Sequence, residues 1–213
     1  MPDQLISLFP TTILKRRLEG MAENNRQLAA LIEAMELAEP NAADLTSTKG
    51  GFQTELNLLA PDHPQANHPA LLALKEHISA AVRDYAGLLV EQECSRTPTR
   101  VRFTTWGWGV ILRAGNWQGH HVHPGSNVSG VYYVAAPPVT LQEGRDDGKI
   151  SFFDPRGRAN MAQIISQITR HAEAPTPSDM VVFPSWLEHS VAPFQGEGNR
   201  ICIAFNAALD VTV

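Results

Sequence analysis

Residues 119–135 read GHHVHPGSNVSGVYYVA, two β-prone runs joined by a segment of turn-forming residues. They predict strands over Gly119–His123 and Ser129–Ala135. On both sides of this stretch, from Arg100 onward, the chain has similar short β-prone runs between Gly, Pro, Asn and Asp residues. Six further strands are predicted there: Val101–Trp108, Gly109–Arg113, Lys149–Phe153, Met180–Phe183, Ser190–Phe194 and Arg200–Ala207. Eight strands of this length and spacing predict two facing sheets in the manner of a jelly roll.

The first half of the chain has helical patterns instead. The segment from about Leu18 to Ala38 is rich in Ala, Leu, Met and Glu, and apolar residues recur at three- and four-residue steps from Ala70 to Leu89. The composition changes near Pro98 without a linker-like segment. We therefore expect one domain over residues 1–213, with a helical and loop support over 1–98 and a β core over 99–213. The predicted fold class is mainly β, with supporting N-terminal helices.

Composition excludes several classes of protein. The chain has 213 residues, 43% of them hydrophobic and 18% charged, which favours a folded core over disorder. Seventeen Lys and Arg against 22 Asp and Glu give a net charge of −5, which argues against a general nucleic-acid binder. No apolar run approaches the roughly 20 residues of a membrane span, and no secretory signal is recognisable. We expect a cytoplasmic protein whose helical half either covers the barrel or forms the contact of a homodimer.

Three of the eight histidines lie within four residues: His120, His121 and His123. Residues i and i+2 of a strand point to one face, so His121 and His123 can converge while His120 points away. Imidazole is the commonest neutral ligand for iron, zinc, copper and nickel, so this pair predicts half of a metal site, against the alternative of a chance surface cluster. The third ligand must come from a distant strand, and His189 follows a turn-like segment at the start of one.

Arg200 opens the last predicted strand, eleven residues after His189. Alternate residues of that strand share its face: Arg200, Cys202, Ala204 and Asn206. A guanidinium at the end of a row of small side chains suggests a pocket wall that binds a carboxylate in bidentate fashion. The alternative is an arginine on the rim, paired with a surface acid.

Taken in order, these motifs resemble a known family, the 2-oxoglutarate and Fe(II)-dependent oxygenases, and more closely a bacterial and phage branch allied to the prolyl hydroxylases. The resemblance covers about residues 100–207. It rests on the following features: His121-x-His123, SGVYYV at 129–134, GKISFFDPR at 148–156, VVFPSWLEH at 181–189, and Arg200.

This resemblance implies a double-stranded β-helix that binds Fe(II) through a facial triad, with His121 and His189 at its two histidine positions. It places Arg200 where the family grips the distal carboxylate of 2-oxoglutarate, and Tyr133 where a tyrosine assists. The implied activity is that of a dioxygenase, which hydroxylates a small-molecule or peptidyl substrate while 2-oxoglutarate is decarboxylated to succinate.

The chain departs from the family at His123, which stands where the triad normally has Asp or Glu. Three neutral imidazoles neutralise none of the charge of Fe(II), but a bound 2-oxoglutarate dianion would compensate. Asp154 is the alternative source of a carboxylate, although an Asp before Pro is more often a turn-former. We expect a three-histidine site of His121, His123 and His189.

Two other functions are compatible with these residues. Gly115, five residues and then His121-x-His123 also fit the start of a cupin motif, although Ser126 and Asn127 stand where its glutamate is expected. Such a barrel would be a three-histidine metal enzyme that works without 2-oxoglutarate. The third possibility is a non-catalytic barrel that binds a metal or a small ligand. A buried Arg200 aimed at the metal pocket would favour the oxygenase.

Overall fold

The computed structural model describes residues 8–40, 47–95, 97, 100–137, 146–156 and 169–212. These residues form two helices, α1 (Ala22–Ala38) and α2 (Pro69–Cys94). They also form eleven strands: β1 (Leu14–Arg17), β2 (Thr48–Lys49), β3 (Phe52–Gln53), β4 (Arg100–Leu112), β5 (Trp117–His121), β6 (Val128–Ala135), β7 (Ile150–Phe153), β8 (Arg170–Glu173), β9 (Asp179–Pro184), β10 (His189–Val191) and β11 (Arg200–Thr212).

The strands form two antiparallel sheets that face each other. The large sheet has the order β1-β9-β6-β11-β4-β3, and the small sheet has the order β2-β5-β10-β7-β8. Apolar side chains from both pack between them, among them Val110 and Tyr133 of the large sheet and Ile150, Phe152 and Val191 of the small sheet. The prediction of a mainly β fold with two facing sheets is confirmed.

The helices cover the outer face of the large sheet. Ile201, Ile203 and Phe205 of β11 belong to the same apolar cluster as Ile32 of α1 and Leu74 of α2. Since alternate residues of a strand point to opposite faces, the even-numbered residues of β11 face the small sheet. The order of layers is therefore helices, large sheet and small sheet. The space between the sheets contains the alternate residues that were predicted to line a pocket: Arg200, Cys202, Ala204 and Asn206.

The prediction of two strands between Val101 and Arg113 is wrong. One strand, β4, extends to Leu112 and pairs with β11 along its full length of 13 residues. The glycine at 109, which as a sequence signal suggests a break, serves packing instead. A Cβ atom there would lie 3.1 Å from the side chain of Ile32, so glycine lets α1 approach the sheet.

Other boundaries also shift. The helix predicted from Leu18 begins at Ala22, because Leu18 donates its N–H to the carbonyl of Ser178 and Gly20 adopts a positive φ of 74°. The small-sheet strands shift as well: β5 ends at His121 rather than His123, and β10 occupies His189–Val191 rather than Ser190–Phe194.

The strands β1, β2, β3 and β8 were not predicted from the sequence. Each has two to four residues and lies at the edge of its sheet. None of the described helices is long and apolar enough to cross a membrane. The expectations of a single domain, a cytoplasmic location, no nucleic-acid partner and a homodimer contact stay predictions.

Candidate metal centre and anion-binding cavity

The structure brings the three predicted histidines together. One ring nitrogen from each of His121, His123 and His189 lies within 4.8 Å of the others, and the described residues hold no other group of this kind. His121 ends β5 and His189 begins β10, and the register pairs them directly across the small sheet. Their ring centroids are 4.2 Å apart. Cross-strand pairing thus places two of the three rings side by side.

His123 lies two residues beyond the end of β5. Its backbone N–H donates to the carbonyl of Ser185 at 2.9 Å, which holds the chain close to the sheet after the strand has ended. Its ring centroid is 5.1 Å from that of His121 and 5.0 Å from that of His189. The two-residue alternation therefore gives the correct face for His123, although that residue is not part of the strand.

Backbone carbonyls determine the tautomers of His121 and His189. The Nδ1 of His121 lies 2.7 Å from the carbonyl oxygen of Gly119, and the Nδ1 of His189 lies 2.8 Å from that of Leu187. A carbonyl oxygen only accepts, so Nδ1 carries the proton in both rings. Each Nε2 then keeps its lone pair for a metal, which is how metal-binding histidines are usually oriented.

Burial keeps the three rings neutral. Removal from water disfavours the imidazolium form, which lowers the pKa of His121, lowers that of His123 to about 4 and lowers that of His189 to about 3. The positive charge of a neighbouring ring would lower each pKa further. Neutral imidazole is the form that binds a metal ion.

The ring of His123 forms its hydrogen bonds with side chains rather than with the backbone. The Nδ1 of His123 lies 2.6 Å from Oδ1 of Asn206 and 3.0 Å from Oγ of Ser129. The Ser129 hydroxyl also donates to Oδ1 of Asn206 at 2.7 Å. The sequence places Asn206 on the same strand face as Arg200. It contains no signal that pairs Asn206 or Ser129 with His123.

His120 and Glu188 lie outside the cluster. The ring of His120 stacks on Phe153 with centroids 4.3 Å apart, and its Nδ1 is 3.4 Å from a carboxylate oxygen of Glu188. More than half of each of these two side chains is exposed. The prediction that His120 points away from the metal site is confirmed.

Asp154 does not supply a carboxylate to the cluster. Arg156 donates to it from Nε at 2.9 Å and from Nη2 at 2.6 Å, and these hydrogen bonds hold the pKa of Asp154 at about 2. Asp154 lines a separate cavity with Arg156 and Arg170, not the one that contains the histidines. Among the described residues, the group of potential ligands therefore contains nitrogen donors alone.

The cavity beside the histidines has a volume of about 320 Å³. This lies within the range of small-molecule sites. Its walls are formed by residues of both sheets. They include Trp106, Trp108, Tyr133, Phe183 and Arg200 of the large sheet, and Gln118, Ile150 and Val191 of the small sheet. Arg200 and the three histidines line this one cavity.

Arg200 is buried, with 1% of its surface exposed. Its Nε donates to the carbonyl of Gly148 at 3.1 Å, and Nη1 lies 3.7 Å from the sulfur of Cys202. No Asp or Glu among the described residues forms a salt bridge with it, so the alternative of a rim arginine is wrong. An unpaired buried charge is costly, and a negatively charged ligand would supply the missing partner.

Tyr133 lies against Arg200, whose guanidinium carbon is 5.2 Å from the centroid of the tyrosine ring. The phenol oxygen is buried and has no hydrogen-bond partner within the described parts of the chain. Burial raises the pKa of Tyr133, so its hydroxyl stays protonated and can donate. Tyr132 faces the other way and donates to Asn25 of α1 at 2.7 Å, which agrees with the register used in the prediction.

Comparison with known proteins identifies the family that this site resembles. Residues 107–206, a little under half of the chain, match the sequence model of a family described as "Putative 2OG-Fe(II) oxygenase". The resemblance inferred from the motifs is confirmed. The match begins within β4 and ends within β11, so it includes the histidines, Tyr133 and Arg200. No curated protein matches the chain.

Solved structures share the fold. A prolyl-4-hydroxylase from Pseudomonas putida is 17% identical with a TM-score of 0.54, covering 93% of this chain and 92% of that one. HygX from Streptomyces hygroscopicus, with nickel and 2-oxoglutarate bound, is 16% identical with a TM-score of 0.55, covering 93% and 82%. A prolyl hydroxylase from Trichoplax adhaerens, in complex with a peptide fragment of hypoxia inducible factor, is 10% identical with a TM-score of 0.58, covering 92% and 83%. At these identities the likeness establishes the fold, which is the expected jelly-roll barrel with supporting helices.

Proposed function

We propose that the protein is an Fe(II)- and 2-oxoglutarate-dependent dioxygenase. In this proposal His121, His123 and His189 bind the iron, while Arg200 and Tyr133 bind the co-substrate. The observation that carries it is the buried guanidinium of Arg200, which has no acidic partner among the described residues and lines the same cavity as the three histidines.

The donor set suits Fe(II). Imidazole nitrogen is a common ligand for iron, and the three rings are neutral and within reach of one ion. If His121, His123 and His189 bind the ion, three protein ligands would leave room beside it for a co-substrate. The absence of a carboxylate from the described cluster leaves both positive charges of Fe(II) uncompensated, and a dicarboxylate co-substrate brings two negative charges.

The Arg200 end of the cavity suits the distal carboxylate of 2-oxoglutarate. The guanidinium offers parallel N–H donors to a carboxylate, and the buried Tyr133 hydroxyl adds a third donor. A ligand held there would direct its keto-acid end toward the histidines. HygX, which shares the fold, has been solved with nickel and 2-oxoglutarate and also with iron.

When bound, Fe(II) supplies the activation of oxygen that couples the decarboxylation of 2-oxoglutarate to hydroxylation of a substrate C–H bond. The residues of this chain orient the two ends of the co-substrate and keep water from it. Trp108, Val131 and Phe183 contribute apolar side chains to the walls of the cavity. Apolar walls of this kind limit the access of water to a bound ligand.

Arg200 also argues for this function over a cupin-type enzyme with the same three histidines. Chemistry at the metal alone does not require a buried cation on the cavity wall, whereas binding of the second carboxylate of 2-oxoglutarate does. The same argument applies to a non-catalytic metal-binding barrel.

The experiment is an anaerobic titration of the metal-free protein with Fe(II) and 2-oxoglutarate, monitored for a visible metal-to-ligand charge-transfer band. We expect the band only when both components are present. Arg200→Ala should lose most of it at the same co-substrate concentration. Arg113→Ala is the matched control, because Arg113 is partly exposed and already paired with Glu36.

Bound iron without a band in the wild-type protein would contradict the proposal in favour of the cupin-type enzyme. A band that survives Arg200→Ala unchanged would remove Arg200 from the co-substrate site. Circular dichroism of each variant checks that the fold is retained.

A further inference from the structure

The three histidines are not oriented in the same way. His121 and His189 each place Nδ1 on the carbonyl of the residue two positions earlier, a contact that no side-chain substitution removes. His123 occupies the position where the family has a carboxylate, and no backbone carbonyl of the described residues accepts from its ring. Its Nδ1 meets the side chains of Asn206 and Ser129 instead.

We propose that Asn206, oriented by Ser129, is a positioning residue that holds the proton of His123 on Nδ1 and thereby makes His123 the third metal ligand. The proposal rests on the proposed function only in taking His121 and His189 as the other two ligands. It does not depend on 2-oxoglutarate.

The sheet places this pair where it can act. Asn206 of β11 and Ser129 of β6 are direct cross-strand partners, 77 residues apart in sequence. Asn206 is 6% exposed and Ser129 is fully buried, so water does not compete for their hydrogen bonds. With Oδ1 toward His123, the amide accepts from the Ser129 hydroxyl at 2.7 Å and from the ring N–H at 2.6 Å.

In the absence of a metal, the reversed orientation of the Asn206 amide satisfies more of its neighbours. Its Nδ2 would then donate to Nδ1 of His123 at 2.6 Å, to the oxygen of Ser129 at 2.7 Å and to the carbonyl of Phe205 at 3.2 Å, while Oδ1 would accept from the indole N–H of Trp106 at 3.2 Å. With Oδ1 toward His123, Nδ2 instead faces that indole N–H, so metal binding must offset the loss of these contacts. A neutral His123 whose Nδ1 accepts must carry its proton on Nε2. That nitrogen then has no lone pair for a metal.

The two orientations therefore correspond to two ligand sets. With Oδ1 toward His123, the site has three nitrogen donors. With Nδ2 toward His123, it has two. Because a metal ion binds only to the first arrangement of His123, we expect the metal-loaded protein to hold the amide with Oδ1 toward the ring. The free energy that Asn206 and Ser129 supply to this arrangement is then part of the metal affinity.

Two substitutions of Asn206 distinguish the two orientations of its amide. Asn206→Leu has a similar volume and no acceptor, so His123 loses the partner of its Nδ1 proton. Asn206→Asp has acceptors only, cannot adopt the reversed arrangement and keeps the proton on Nδ1. Gln53→Leu is the matched control, because Gln53 is a buried amide that lines the same cavity but bonds to Thr48 rather than to a histidine.

The measurement is the Co(II) affinity of each full-length variant, from the visible spectrum of the bound ion in competition with a chelator. We expect Asn206→Leu to bind Co(II) about 10- to 100-fold more weakly than wild type, the usual effect of losing such a partner. Asn206→Asp should bind at least as tightly as wild type, and Gln53→Leu should be unchanged. Ser129→Ala should weaken binding less than Asn206→Leu, and it serves in its place if that variant does not fold.

A spectroscopic readout tests the tautomer directly. In the Zn(II)-loaded wild-type protein, nitrogen NMR of the imidazole rings should show His123 protonated on Nδ1. A proton on Nε2 of His123, or an Asn206→Leu variant that binds Co(II) as tightly as wild type, would overturn this inference and leave the co-substrate proposal standing. A wild-type protein that binds neither Co(II) nor Zn(II) would overturn both.

Discussion

The two ends of the cavity are constructed differently. The histidine end comes from the small sheet, whose strands β5 and β10 have five and three residues. The Arg200 end comes from the large sheet, where β11 has 13 residues and is paired along most of its length on both sides. The short strands place His121 and His189 through one cross-strand pair, whereas the long strand β11 begins with the buried Arg200.

The two ends of the cavity therefore select their ligands through different interactions. At the histidine end, hydrogen bonds from Nδ1 choose the tautomer, and the rings are neutral and in mutual contact. At the other end, a single unpaired charge is held away from water by its surroundings. Substitutions at the first end should therefore affect metal binding, and substitutions at the second should affect binding of an anion.

The largest effect is expected from His189→Ala. This substitution removes the ligand that β10 contributes to the cluster. Bound iron should therefore fall to background in metal analysis after gel filtration. His120→Ala is the matched control, because His120 lies on the opposite face and is mostly exposed. Iron at the wild-type level in His189→Ala would show that His189 is not a ligand.

The next largest effect is expected from Arg200→Met. This substitution should weaken binding of 2-oxoglutarate without affecting binding of the metal. Metal binding should persist, because Arg200 contacts the carbonyl of Gly148 and the sulfur of Cys202 rather than a histidine. In thermal unfolding, 2-oxoglutarate with Zn(II) should stabilise the wild type by about 2.7 kcal/mol at 100 times its Kd, and the variant much less. Without ligand, the variant should be as stable as wild type or up to about 4 kcal/mol more stable, because an unpaired buried charge is gone.

Arg113→Met controls for the general loss of an arginine, since Arg113 already has Glu36 as its partner. An equal response of the Arg200→Met variant and the wild type to 2-oxoglutarate would mean that the two ends are not parts of one site.

A smaller effect is expected from Tyr133→Phe. It removes one uncharged donor to a charged ligand and leaves the guanidinium, so the Kd for 2-oxoglutarate should rise about tenfold, or about 1.4 kcal/mol. Isothermal titration calorimetry of the Zn(II)-loaded protein measures this. Tyr132→Phe should instead lower stability without changing the Kd, because its hydroxyl binds Asn25 on the helical side. The opposite pattern would place Tyr132 at the cavity.

The smallest effect is expected from His123→Asp, which restores the ligand type that the family normally has. The amide of Asn206 can reverse and donate Nδ2 to the new carboxylate, so Fe(II) binding should stay within about tenfold of wild type. Chelator competition measures the affinity. Complete loss of iron would show that the position requires an imidazole.

Much of this architecture was predictable because strand alternation is a local property. Runs of β-prone residues between turn-forming residues identified the strands that carry His121, Tyr133 and Arg200, and two-residue alternation assigned the faces. The order of the motifs indicated the family whose sequence model matches residues 107–206. The short edge strands were not predictable. Two to four residues are too few to show a period, and these strands exist because a neighbouring strand offers free hydrogen bonds.

The sequence by itself determined the chemical groups of the site: three imidazoles, one guanidinium and one phenol, each on a definite face of a strand. Only the tertiary structure decided their state. Which nitrogen of His123 carries its proton depends on Asn206, which is 83 residues away. Whether Arg200 has an acidic partner depends on every segment packed around it. Tautomer and burial arise from contacts between distant segments, and a local pattern cannot contain them.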